Sequence, residues 1–159
     1  MQQINLTCSV SILSWIELPD DAQQVIETAK QATFHAYAPY SGFRVGAAVL
    51  LGNGVVVTGN NQENAAFPSG LCAERIALFS ANALHSHVPV KTIAIAAQRE
   101  GKFLPNPVSP CGACRQVMLE CEKRFENEMD IYLYGTEKIY YLKGIWNLLP
   151  LSFDLEGNF

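Results

Sequence analysis

Val108-Ser109-Pro110-Cys111-Gly112-Ala113-Cys114-Arg115-Gln116 opens the segment VSPCGACRQVMLECEKRF (108–125), where two cysteines stand three residues apart. Ser109 suits a helix N-cap and Pro110 the first helical position, so a helix is expected over residues 110–125. Cys111 and Cys114 then share one face of its first turn. Alone, the pair fits a redox couple, half of a structural zinc knot, or part of a catalytic metal site. The three readings imply different functions, and the rest of the chain has to separate them.

The chain has 159 residues, 49% of them hydrophobic and 16% charged, enough for one globular domain with a core that needs no disulfides. Five cysteines, an odd number, argue against a closed disulfide framework. The formal net charge is -4 and the lysines and arginines are scattered. A polynucleotide ligand calls for a basic stripe, so a small-molecule substrate is the expectation. No apolar run approaches the ~18 residues that span a membrane. The first residues lack a signal-peptide pattern, so a cytoplasmic location with reduced thiols is expected.

Upstream, Ile4, Leu6, Cys8, Val10 and Ile12 alternate with polar residues, the pattern of a half-buried strand over 4–12. Asp20 or Asp21 can cap a following helix, which Pro39 closes. FRVGAAVLLGNGVVVTGNN (43–61) reads as a hairpin turning at Gly52-Asn53-Gly54. LCAERIALFSANALH (71–85) has helical spacing, and VKTIAIAAQ (90–98) reads as a buried strand. REGKFLPNPVS (99–109) reads as a loop, DIYLYG and KIYYLKG as strands, and IWNLLPLSF as a helical turn with an extended tail. The order predicts an α/β fold with a mixed sheet between helices.

Cys72 falls near the start of the second helix, 39 residues before Cys111. A helix N-terminus carries partial positive charge and lowers a thiol's pKa. Three thiolates could therefore meet where two helix starts converge, a soft donor set suited to zinc. Three protein ligands suit a catalytic zinc, which keeps its fourth position open. Cys121 lies about 10 Å farther along the same helix and cannot share the metal. Cys8 reads as a small core residue. Glu74, two residues after Cys72, is placed to carry protons. Three thiolates and a dication leave one net negative charge, which Arg75 and Arg115 could offset by hydrogen-bonding the sulfurs. Each residue alone has a plainer reading: Glu74 as a solvated helix residue, the arginines as surface charges.

These residues resemble the zinc-dependent nucleoside deaminases, whose Cys₃ variant and P-C-x-x-C signature are a known pattern. CAER and PCGACRQ look like the small homotetrameric cytidine deaminases, and the resemblance extends over about residues 20–155 through PYSGFRVGAAV, NNQENAAFPSGLCAER, SPCGACRQVM and LLPLSF. It implies a three-layer α-β-α fold with a mixed five-stranded sheet over residues 19–159. Residues 1–18 are then an N-terminal extension, expected to add an edge strand or an intersubunit arm. The resemblance also implies zinc on Cys72, Cys111 and Cys114, with Glu74 shuttling protons as water replaces the amine at C4 of cytosine. Asn61 and Glu63 would hydrogen-bond the ribose hydroxyls. Phe43 would pack on the base, the Ala73 backbone would meet the base edge, and Phe153 would close the pocket. A homotetramer with active sites shared between subunits is implied as well. Read alone, Phe43 could be core, Phe153 a packed tail residue, and Asn61 and Glu63 solvated loop residues. Phe67 departs from the family, which often has tyrosine there.

The expected activity is deamination of cytidine and 2′-deoxycytidine. Alternatives are a deaminase of cytosine-containing nucleoside antibiotics, a nucleic-acid-editing enzyme, an inactive zinc-stabilised module, and a thiol–disulfide oxidoreductase. The acidic balance disfavours the second of these, and the intact Glu74 disfavours the third.

Overall fold

A computed structural model describes residues 1–155. Its strands are β1 (Ser11–Leu13), β2 (Phe43–Leu51), β3 (Val56–Asn60), β4 (Val90–Arg99), β5 (Lys102–Phe103), β6 (Asp130–Tyr134) and β7 (Ile139–Lys143). Its α-helices are α1 (Asp20–Ala32), α2 (Ala73–Leu84) and α3 (Gly112–Phe125). No helix among the described residues is long and apolar enough to cross a membrane.

One sheet runs β1-β7-β6-β4-β2-β3, with β5 hairpinned onto β4. β4 and β6 are parallel and every other pairing is antiparallel. A parallel pair needs a crossover, and α3 provides it. The expected five-stranded mixed sheet is therefore present as β2, β3, β4, β6 and β7. β1 and β5 add to it, and the two-residue β5 lies where the sequence reads as loop.

The period-2 alternation of β2 and β4 sorts the core into two layers. Ala47, Val49, Leu51, Ile93 and Ile95 face α2 and α3. Ala48, Ala94 and Ala96 face α1, which meets them with Ala22, Val25, Ile26 and Ala29. Small residues on that face let α1 lie close: a Cβ on Gly46 would stand 2.2 Å from the Ala29 carbonyl oxygen. Gly59 does the same service on the opposite face. A Cβ there would stand 2.3 Å from the Ala73 oxygen and 2.5 Å from the Ala77 nitrogen. The first turn of α2 is seated directly on β3 by that missing methyl.

The N-terminal reading needs correction. Only Ser11–Leu13 form a strand, and residues 1–10 are exposed. Ser11 pairs with Tyr141, and extending that register puts Ser9 opposite Lys143, where β7 ends and Gly144 turns away with φ 74°. Among the described residues, no strand pairs with the residues before Ser9. Cys8 is exposed rather than core. The extension is anchored beyond β1 by Trp15, whose ring meets Tyr134 edge-on at 6.4 Å. Lys30 lies 5.6, 5.4 and 5.0 Å from the ring centres of Trp15, Phe103 and Tyr134. Pro19, not an aspartate, is the N-cap of α1.

Candidate active site

Both ligand-bearing helices begin one residue after a cysteine. Cys72 caps α2 with φ −74° and ψ 153°, and Cys111 caps α3 with φ −68° and ψ 166°. This moves the start of α3 beyond Ser109 and Pro110, which precede the helix rather than open it. Cys114 falls in the first turn and is buried. The approach to α2 is held by paired main-chain bonds between Gln62 and Leu71, 2.9 and 3.0 Å long. Those bonds fix Cys72 beside the 61–63 loop.

The three sulfurs lie within 4.8 Å of one another. Cys72 Sγ is 3.8 Å from Cys111 Sγ, which is 3.3 Å from Cys114 Sγ. Tetrahedral zinc with bonds of ~2.3 Å sets its sulfurs about 3.8 Å apart, so spacing and donor chemistry fit one zinc. Among the described residues, no other group of three His, Cys, Asp or Glu side chains could hold a metal. A third sulfur beside Cys111 and Cys114 argues against a simple redox couple.

The electrostatics suit a charged sulfur cluster. The Cys72 thiol is drawn down to about 5, first by a hydrogen bond from Cys114 and further by Cys111 and Arg75. The hydrogen bond to Cys72, and then burial, raise the Cys114 pKa. Glu74 is only 4% exposed, and burial, then the Cys72 charge, raise its carboxyl above the ordinary range. Burial opposes the Arg75 charge, yet hydrogen bonding to Cys72 and the surrounding sulfurs raise its pKa overall. Its buried Nε has no partner among the described residues.

Arg115 does something other than the sequence suggests. Its Nε donates to the Pro110 carbonyl at 2.8 Å and its Nη1 to the Leu148 carbonyl at 2.7 Å. A planar guanidinium turned to two carbonyls ties the ligand turn to the C-terminal segment. The sulfur-facing cation is Arg75.

A cavity of about 460 Å³ runs from Cys72 to a wall that includes Tyr40, Ser41, Asn61, Glu63 and Phe67. Asn61 already bridges two strand groups: Oδ1 accepts from Val45 N at 2.7 Å and Nδ2 donates to Phe43 O at 2.9 Å. Glu63 accepts from Tyr40 N at 2.8 Å, Ser41 N at 3.3 Å and Ser41 Oγ at 2.5 Å. Phe67 is exposed and meets Tyr40 edge-on at 5.8 Å. Ala73 is fully buried, its side chain in the core. Phe43 and Phe153 do not line this cavity. The Arg99 guanidinium lies 5.5 Å from the centre of the Phe43 ring. Phe153 is 69% exposed, and its carbonyl accepts from Gln116 Nε2 at 2.8 Å. Ser41 and Tyr40 were not singled out in the sequence. The available signal was a serine two residues before a strand, placed to cap that strand's first amide.

The family described as "cytidine and deoxycytidylate deaminase zinc-binding region" matches residues 19–126. A cytidine deaminase of Halalkalibacterium halodurans is 49% identical over 86% of this chain and 96% of its own length. One from Sporosarcina psychrophila is 40% identical over 86% of this chain and 93% of its own. The crystal structure of a cytidine deaminase from Burkholderia pseudomallei superposes with a TM-score of 0.70 at 39% identity, covering 86% of this chain and all of that one. With its three cysteines gathered at two helix starts, the chain belongs to the cytidine and deoxycytidylate deaminase zinc-binding family.

Proposed function

We propose that the protein hydrolytically deaminates cytidine and 2′-deoxycytidine to uridine and 2′-deoxyuridine, releasing ammonia, as a pyrimidine-salvage enzyme. The observation that carries this is the convergence of Cys111 and Cys114 on Cys72, which lines a nucleoside-sized cavity, with the buried Glu74 in the first turn of the helix that Cys72 caps. The three cysteines hold one zinc per subunit. When bound, it supplies the Lewis acidity that makes water a nucleophile near neutral pH.

The chain's own groups do the rest. Glu74 takes the proton from water as its oxygen attacks C4, passes it to ring N3, and delivers a proton to the departing amine. Its burial favours this role, because a carboxyl whose pKa is raised holds a proton more readily and so can both accept and return it. Arg75 offsets the negative charge of the sulfurs. Asn61 and Glu63 take the sugar hydroxyls, while the Ala73 backbone meets the base edge. Phe43 and Phe153 pack against the base and pocket mouth. Both lie off the cavity within one chain, and in the proposed homotetramer neighbouring subunits complete each site.

We assign residues 19–159 to a single catalytic domain and residues 1–18 to an N-terminal extension that serves as an edge strand and intersubunit arm. Ile4, Leu6, Val10 and Ile12 are exposed on it, and no charged side chain occurs before Glu17. The cytoplasm is the proposed compartment, with neither nucleic acid nor membrane as partner.

The test is the fall in ultraviolet absorbance when cytidine is added to zinc-loaded protein. Glu74→Gln should retain zinc and lose turnover. Zinc-loaded wild type without turnover, or Glu74→Gln at full rate, refutes the proposal.

A further inference from the structure

The geometry points to Ser41 as a positioning residue for sugar recognition, a role that rests on the nucleoside reading of the cavity. Ser41 is the hinge of a small hydrogen-bond relay. Its hydroxyl donates to Glu63 Oε1 at 2.5 Å and accepts from Phe43 N at 3.0 Å. Its own amide and that of Tyr40 donate to Glu63 Oε2 at 3.3 and 2.8 Å. Phe43 O in turn accepts from Asn61 Nδ2. The PYSGF loop and the NQE loop are thus joined through one serine oxygen.

The count of hydrogen-bonding positions says what this relay does. An ionised carboxylate offers about four acceptor positions. On Glu63, three are taken by Tyr40 N, Ser41 N and Ser41 Oγ. The one left is on Oε1, the oxygen that Ser41 holds. Asn61 has one acceptor position on Oδ1 and one N–H on Nδ2 left over. Together the two side chains present two acceptors and one donor to the cavity they line. That set matches sugar hydroxyls, each of which must donate and accept when taken out of water.

Ser41 fixes the direction of the remaining Oε1 position and favours the ionised form of Glu63. Its hydrogen bond is the leading cause that lowers the Glu63 pKa, followed by the amide of Tyr40. An ionised Glu63 can only accept, so it orders the sugar hydroxyl as a donor. Without the Ser41 hydroxyl, Oε1 loses its anchor while the two amides still hold Oε2, and the Phe43 amide loses its acceptor.

The experiment crosses Ser41→Ala with removal of the sugar hydroxyls from the substrate. Steady-state constants are measured for wild type and variant on cytidine and on 2′,3′-dideoxycytidine, with zinc content checked for each protein. The expected result is a KM for cytidine raised about tenfold, the scale of one charge-assisted hydrogen bond. On 2′,3′-dideoxycytidine, which has no hydroxyl for Glu63 to receive, the two proteins should have equal KM. Ser41→Thr, which keeps the hydroxyl, should restore the cytidine KM and guards against a folding defect in Ser41→Ala. Equal losses on both substrates, or none on either, overturn the inference. Wild-type protein that turns over neither nucleoside overturns the functional reading itself, an outcome that the wild-type measurements alone reveal.

Discussion

Gly59→Ala is the sharpest available test of how the fold holds the site. The new methyl would sit 2.3 Å from the Ala73 oxygen and 2.5 Å from the Ala77 nitrogen. Both are backbone atoms of α2 and cannot rotate aside. Ordinary contact begins near 3.4 Å, so the helix start must lift from β3 by about 1 Å. Overpacking costs ~3 kcal/mol at the upper end of its range, and Gly→Ala recovers up to about 1 kcal/mol through the unfolded chain. The net loss is about 2 kcal/mol, a fall in Tm of roughly 4–8 °C for a chain of this size. The helix start also carries Cys72 and Glu74, whereas Cys111 and Cys114 stay on α3. Metal–ligand distances tolerate about ±0.2 Å, so a 1 Å offset should weaken zinc binding. A misplacement of that size costs about 100-fold in kcat/KM. Gly46→Ala is the control, because its methyl would strike Ala29 and Thr33 of the α1 segment, on the face away from the ligands. Urea unfolding, zinc competition against a chromophoric chelator and cytidine turnover should show both variants destabilised, with only Gly59→Ala losing zinc affinity and rate. If the two variants lose zinc affinity equally, α2 placement does not control the site and the reasoning fails.

Other outcomes follow from the same contacts. Cys111→Ser should bring zinc from one per chain to near none by metal analysis, whereas the exposed Cys8→Ser should keep it. Glu122, 6% exposed, accepts from Met129 N at 2.9 Å and Ile145 N at 3.1 Å. Glu122→Ala should destabilise by ~1–3 kcal/mol per stranded amide in urea unfolding. Burial raises the Glu122 pKa, so its protonated form is favoured on folding. Its stabilising contribution is full below the unfolded carboxyl pKa and is lost as pH rises through the folded one. Wild type should therefore lose stability relative to Glu122→Gln across that window, and a pH-independent difference would contradict this. Trp15→Ala removes one ring beside Lys30 and should cost about 1 kcal/mol. Hydrogen exchange at Ile12 should quicken in that variant while zinc content is unchanged.

Much of the site was legible in the chain because its signals are local. A cysteine at a helix start, a glutamate two residues on and a second cysteine pair are matters of spacing. Helix and strand periods placed α1, α2, α3 and the five central strands. Caps were less legible: Pro110 and Ser109 suggested an earlier start for α3, but Cys111 itself takes the extended N-cap conformation. The strand expected over residues 4–12 shrank to Ser11–Leu13, because alternation says which face a residue prefers and nothing about whether a partner strand reaches it. β7 ends at Lys143, and the ladder ends near it.

The sequence by itself determined the donor set for zinc and the order of layers and marked Glu74 as the candidate proton carrier, since each rests on residue chemistry and short-range period. The tertiary structure alone decided that sulfurs 39 residues apart stand 3.8 Å from each other, a result of Gly59 letting α2 settle on β3. It also decided the division of labour between two arginines of identical chemistry. Arg75 faces the sulfurs while Arg115 is taken up by the carbonyls of Pro110 and Leu148. Hydrogen-bond partners are allotted by competition among all groups within about 3 Å, and only the folded chain says which groups those are.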